Sequence, residues 1–290
     1  MMDWLNTILQ GVLVGGLYAL LAAGLSLSFG VMRIINIAHG DFAVLSGFIA
    51  IALAGWLGLN PAAALILTVP IMAGVGYVLQ RSILTRTLGA DVMRPILVTF
   101  GLSIIIQNLL LQGFSATPRS LNWGNFGTAS ISLGSQIGIG LLPLTMMLVA
   151  VVILAGMQAL FSRTMLGRAF RAASDDPETV QLMGVNNHHI YALAMAFSMA
   201  IVAVAGVFLV VQTNVTPTSG PQNLLYAFEA VIIGGLGSLW GTLAGGIILG
   251  VAQAVGAKFD PGWGTLTGHL CFLAVLAFRP NGLFPVTRDR

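Results

Sequence analysis

The chain has one cysteine, Cys271, one lysine, Lys258, and only 21 charged side chains (12 Lys and Arg, 9 Asp and Glu) in 290 residues. A lone cysteine excludes an intrachain disulfide and a cysteine-built metal site. The scarcity of lysine excludes the phosphate-binding loop GxxxxGK[ST], because Lys258 is followed by Phe259. No nucleotide is expected to be hydrolysed in this chain; no catalytic residues and no enzyme activity are expected. The scattered basic residues form no stripe that tracks a phosphate backbone, so no nucleic-acid partner is expected. None of the four histidines has metal-ligand spacing to a second histidine or a carboxylate cluster, so no metal is expected.

Charge at 7% against the roughly 25% of a soluble domain, with 57% hydrophobic residues, describes a chain dissolved in lipid. Apolar segments follow one another near 5–29, 42–59, 62–79, 96–114, 137–161, 190–211, 227–257 and 263–278. A crossing needs about 20 apolar residues. The reading is an all-α polytopic membrane protein with about eight hydrophobic segments, some broken or re-entrant, forming a single transmembrane domain over 1–290. The start, MMDWLNTILQ, lacks the basic region of a signal peptide, so the first segment is expected to remain in the mature protein.

Arginine sets the orientation, since short basic loops stay cytoplasmic. Arg81, Arg86 and Arg94 lie in one join and Arg163, Arg168 and Arg171 in another, two crossings apart. The join 115–136 then falls outside, as does the N-terminus. Eight single crossings would leave Arg279, Arg288 and Arg290 outside against the same rule. The glycine-rich segment 227–257, about 31 residues long, is therefore expected to be broken.

Glycine is abundant, at 36 residues. Gly11 and Gly15, Gly241 and Gly245, and Gly246 and Gly250 are GxxxG pairs, and Ala192, Ala196 and Ala200 form a small-residue stripe. Such faces let helices approach closely in lipid, either inside this subunit or at a seam with another.

Six of the charges crowd into 163–178. In SDDPETVQLMGVN, Asp176 is placed to cap a helix, Pro177 suits its first position, Glu178 favours its positive end, and Gly184 suits a left-handed terminus. A short helix is expected over about 177–183, lying on the cytoplasmic face within a loop of about 162–189. The plain alternative is a solvated linker, for which so long a loop is not needed.

The run GRAFRAASDDPETVQLMGVN resembles the cytoplasmic loop of ABC-importer permeases, whose coupling helix docks into the ATPase subunit. The runs GLYALLAAGLSLSFGVMRIINIAHGDFAVLSGF and AVIIGGLGSLWGTLAGGIILG, closed by RPNGLF, resemble the branched-chain amino acid permeases of the smaller, H type. The resemblance covers nearly the whole chain. It implies a multi-pass permease of the bacterial inner membrane, forming half of a pathway for branched-chain or similar small amino acids. The implied partners are a second, larger homologous permease, two ATPase subunits that use ATP, a periplasmic solute-binding protein and membrane lipid. ATPase coupling carries over to Gly167, Arg168, Arg171, Ala172 and Gly184; the match departs at Phe170 and at Asp175 to Pro177. Permeases for urea, short amides and small organic acids are similar to the same group. A secondary transporter coupled to ions through Asp41 or Glu229 is the rival class.

The pathway is sought where polar groups and glycines interrupt apolar helices. Two such stretches are 24–41, with Asn36, His39 and Asp41, and 229–246, with Glu229, Gly234 and Gly235. Each polar group also has a structural reading: Asn36 satisfying freed backbone, His39 and Asp41 capping or pairing, Glu229 bonded to a neighbouring helix. His269 is read as structural, and His188 and His189 as interfacial anchors.

Overall fold

A computed structural model describes residues 2–88, 93–133 and 137–284. The chain order is α1 (Met2–Met32), α2 (His39–Leu57), α3 (Pro61–Ser82), a 3-10 turn (Leu84–Thr87) and α4 (Met93–Phe114). A short α5 (Asn125–Thr128) and an antiparallel hairpin, β1 (Ser130–Leu133) with β2 (Ile137–Gly140), precede α6 (Leu141–Arg163). Then come α7 (Met165–Asp175), α8 (Pro177–Leu182), α9 (Asn187–Gln212), α10 (Gly220–Gly234), α11 (Leu239–Phe259) and α12 (Trp263–Phe278). Seven of these helices are long and apolar enough to cross a membrane.

The core is α1 and α9, whose buried shares are the highest among those seven helices. The glycine pairs explain how α11 reaches α1. A Cβ on Gly15 would stand 2.6 Å from the Ile247 Cα, and one on Gly250 would stand 2.3 Å from the Gly11 carbonyl oxygen. The two GxxxG faces thus pack on each other, antiparallel, inside this subunit. Gly241 and Gly245 serve α10 instead, where Cβ atoms would meet the Gly234 and Ala230 carbonyl oxygens at 2.3 and 2.0 Å.

Two of the helices start level with the middle of α1 rather than at its end. Arg33, at φ 53°, turns the chain back after α1. By residue 39 it has climbed far enough for the His39 Nε2 to donate to the Leu21 carbonyl at 2.8 Å. Leu21 lies 11 residues before the end of α1, about 16 Å along its axis. From there α2 runs beside α9, with Gly206 against Ala43 and Gly47 against Val210. The second case is α10. Its first residue meets the first turn of α2 so closely that a Cβ on Gly40 would stand 2.0 Å from the Gly220 carbonyl oxygen. It then runs the opposite way, and the turn after it reaches Gly30 of α1, where a Cβ would stand 3.7 Å from the Gly237 Cα. The amino ends of α2 and α10 therefore meet head to head.

The apolar segment 227–257 is two helices, α10 and α11, joined by a turn at Gly235 (φ 104°) and Gly237 (φ 79°). That split adds the crossing that the arginine count demanded. Arg33, Arg81, Arg86, Arg94, Arg163, Arg168, Arg171 and Arg279 all fall on the face that carries α7 and α8, and Arg119 lies on the opposite one. Arg288 and Arg290 lie outside the described residues. The hairpin and α5 in the outer join carried no legible signal in the sequence.

Candidate translocation site

The junction of α2 and α10 gathers the polar residues of the first broken stretch. Asn36 closes the turn: its Oδ1 accepts the Ala38 N–H at 3.1 Å and its carbonyl accepts the His39 N–H at 3.2 Å. Thr99 on α4 accepts the Ile37 N–H at 3.2 Å. Asp41 sits in the first turn of α2, with Gln107 of α4 donating to its Oδ1 at 2.9 Å. That same Oδ1 lies 1.8 Å from where a Cβ on Gly220 would stand, so the carboxylate abuts the amino end of α10. Two helix dipoles converge there, which favours an anion. Asn36, His39 and Asp41 are all buried, and Asn36 Nδ2, His39 Nδ1 and Asp41 Oδ2 have no protein partner. Neither α2 nor α10 has a side-chain cap, and neither have α6 and α12, whereas α3, α7, α8, α9 and α11 are capped by Asn60, Thr164, Asp176, Asn186 and Ser238.

Glu229 lies elsewhere on α10. The Nδ1–H of His269 on α12 donates to its Oε1, and Oε2 has no partner. The His269 ring stacks on Tyr226, and Tyr226 packs on Tyr18 with ring centroids 5.3 Å apart. Tyr18 in turn donates to the Gln253 Oε1. The sequence reading treated His269 as structural; its partnership with Glu229, 40 positions away, has no local signal. Gly234 and Gly235 stand at the other end of α10. There residues 279–284 cover the helix end, with Leu283 N–H donating to the Ile233 carbonyl at 2.9 Å and Phe284 N–H to the Gly234 carbonyl at 3.0 Å.

Two apolar grooves flank the junction. One, of about 120 Å³, is lined by Leu25, Phe29, Ile35, Phe228, Ile232 and Leu236 beside α10. The other, of about 290 Å³, follows α2 and α4 through Leu45, Ile49, Leu53, Trp56 and Leu110.

On the arginine-rich face, α8 is capped as its sequence dictates: Asp176 accepts from the Glu178 and Thr179 N–H groups, and Gly184 stands at φ 85°. The bonds from Thr179, side chain first and then backbone, hold the exposed Asp176 carboxyl below the usual carboxylate range. The preceding run is itself helical, as α7, with Gly167, Phe170 and Ala173 buried at three-residue spacing. Gly167 allows that packing, since a Cβ there would stand 2.3 Å from the Leu160 carbonyl oxygen. Arg171 donates to the Phe161 carbonyl and so ties α7 to the end of α6, while Arg168 and Ala172 are exposed. Ser174 donates to the Gly30 carbonyl at 2.8 Å, linking α7 to α1.

The family described as "Branched-chain amino acid transport system / permease component" matches residues 7–275, which takes in all of the chain from α2 to α11, most of α1 and α12, and the loop just described. The chain belongs to that family. It is 31% identical to the high-affinity branched-chain amino acid transport system permease protein BraD of Pseudomonas aeruginosa, over 97% of this chain and 95% of BraD. LivH of Escherichia coli K12, named as a permease of the same kind of system, is 25% identical over 97% of this chain and 95% of its own length. LivM of the same organism, also so named, is 25% identical over 94% of this chain and 69% of its own. This chain is thus a multi-pass transport permease component.

Proposed function

We propose that this chain is one permease subunit of an ATP-driven importer for branched-chain amino acids, paired with a second homologous permease in the bacterial inner membrane. The observation that carries the reading is the family match over residues 7–275, which spans the membrane body without a gap. The occurrence of LivH and LivM in one organism supports a pair of unlike permeases. The exposed side chains of Met165, Leu182 and Met183 beside Arg168 give the α7–α8 face the mixed apolar and basic character of a docking surface for the ATPase. Ser174 and Arg171 join that surface to α1 and α6, so a push on it reaches the helices around the junction. The solute route follows α10 in the inner half and α2 in the outer half, with Asn36, His39 and Asp41 at the constriction between them. A periplasmic solute-binding protein delivers the solute to the outer face, where Arg119 and Val215 pair the outer join with the loop that leads into α10.

Reconstitution tests this. Vesicles holding both permeases and the ATPases should hydrolyse ATP faster when leucine-loaded binding protein is supplied, and should accumulate leucine. Uptake that proceeds without ATP, or hydrolysis indifferent to the loaded binding protein, would overturn it.

A further inference from the structure

We propose that Tyr18, Tyr226, Glu229, Gln253 and His269 form the site at which the ammonium and carboxylate groups of the transported amino acid are read inside the membrane. The inference rests on the amino-acid importer reading and adds to it a place and a polarity.

Four helices build the cluster: α1 supplies Tyr18, α10 Tyr226 and Glu229, α11 Gln253, and α12 His269. Tyr18 is near the midpoint of α1 (Met2–Met32), so the cluster lies close to the bilayer centre. Polar groups at that depth are costly unless partnered. Glu229 is 1% exposed, and its Oε2 has no protein partner. Gln253 Nε2 is a buried donor that likewise has none, since the Gln253 Oε1 is taken by Tyr18. One free carboxyl acceptor and one free amide donor thus stand in a single cluster, which is the complement of a zwitterion: ammonium to Glu229 Oε2, carboxylate to the Gln253 amide. The faces of Tyr18 and Tyr226 add attraction for a cation within reach of their rings. The Nδ1–H of His269 fixes the other Glu229 oxygen, and the His269 ring, 32% exposed at its side chain, leaves the cluster open at the surface of the subunit.

The apolar part of the solute has a neighbouring place. On α1, Leu25 and Phe29 continue the stripe that begins at Tyr18, at spacings of seven and eleven residues, and on α10 Phe228 and Ile232 flank Glu229. A branched aliphatic side chain seated in this groove would leave its head group beside the cluster.

The test is thiol protection in the complete reconstituted importer. Gln222 is exposed and donates to the Tyr226 hydroxyl at 2.8 Å, so Gln222→Cys in a Cys271→Ser background reports on the cluster. Labelling by a small thiol reagent is measured with L-leucine, with leucinol, which keeps the ammonium, and with 4-methylpentanoate, which lacks it. L-leucine should slow labelling most, leucinol less, and 4-methylpentanoate not at all. Glu229→Gln, which keeps the shape and an acceptor for His269, should weaken protection by L-leucine roughly tenfold, the scale of one charge-assisted hydrogen bond. Protection by 4-methylpentanoate equal to that by L-leucine would overturn the assignment without any variant, as would no protection at all or protection unchanged in Glu229→Gln. Stimulation of ATP hydrolysis by leucine-loaded binding protein is read in the same vesicles. If stimulation is present and protection absent, the site falls and the importer reading stands; if stimulation is absent, both fall.

Discussion

Single glycines decide much of this fold, and their surroundings separate two kinds of consequence. At Gly220 there is no room: a Cβ would stand 1.8 Å from the Asp41 Oδ1 and 2.9 Å from its Cα. Gly220→Ala must push α2 and α10 apart, a case of overpacking that costs about 1–3 kcal/mol or more. Thermal unfolding in detergent should show the loss, with Gly74→Ala, where nothing lies within 4 Å, as the neutral control. Gly184 is the opposite case, since a Cβ there meets nothing within 4 Å but the backbone is at φ 85°. Gly184→Val should cost about 1–2 kcal/mol of local backbone energy and spare the membrane body. Folded yield should hold while stimulated ATP hydrolysis falls; an equal loss of yield would contradict the separation.

At the scale of elements, α8 is a six-residue helix held by its cap, and its stability should follow the cap's charge. The Asp176 carboxyl is depressed by the bonds it accepts in the folded loop. A depressed acid stabilises the fold above its unfolded value of about 3.9 and loses that contribution as pH falls through the lower folded value. Hydrogen exchange at Thr179 and Val180 should therefore stay flat from neutral pH to about 5, once corrected for the intrinsic rate, and quicken below about 4. Protection that falls between pH 7 and 5 would point to another group. The α8 cap was legible because capping is local chemistry written in consecutive residues. The helical character of α7 was not read, although Gly167, Phe170 and Ala173 carry its period, because a run of arginines reads first as a charged surface. The start of α10 at Gly220 was likewise missed: the loop 213–219, TNVTPTS, reads as an ordinary turn, and only the contact of Gly220 with Gly40 shows its depth. The Glu229–His269 pair and the outer hairpin depend on long-range placement, which no local pattern announces.

For the whole molecule, the broken segment and the arginine asymmetry were readable because each follows from what a bilayer tolerates. The break in 227–257 had to exist for the arginines near 279 to share a face with Arg163 and Arg168, and the turn at Gly235 and Gly237 supplies it. What emerges is a body in which α2, packed on α9, and α10, packed on α1, start head to head, with one groove leading along each of them. The central claim is that the route runs along these two grooves and opens alternately, as transporters built on discontinuous helices do. The direct measurement uses single cysteines in a Cys271→Ser importer: Ile232→Cys in the inner groove, Ile49→Cys in the outer, and Leu67→Cys on the exposed flank of α3 as control. Labelling by a membrane-impermeant thiol reagent, applied from each side, is compared with and without nucleotide trapped in the ATPase. The account predicts that labelling of Ile232→Cys from inside and of Ile49→Cys from outside change in opposite senses while Leu67→Cys stays constant. Grooves that change together, or not at all, would contradict it.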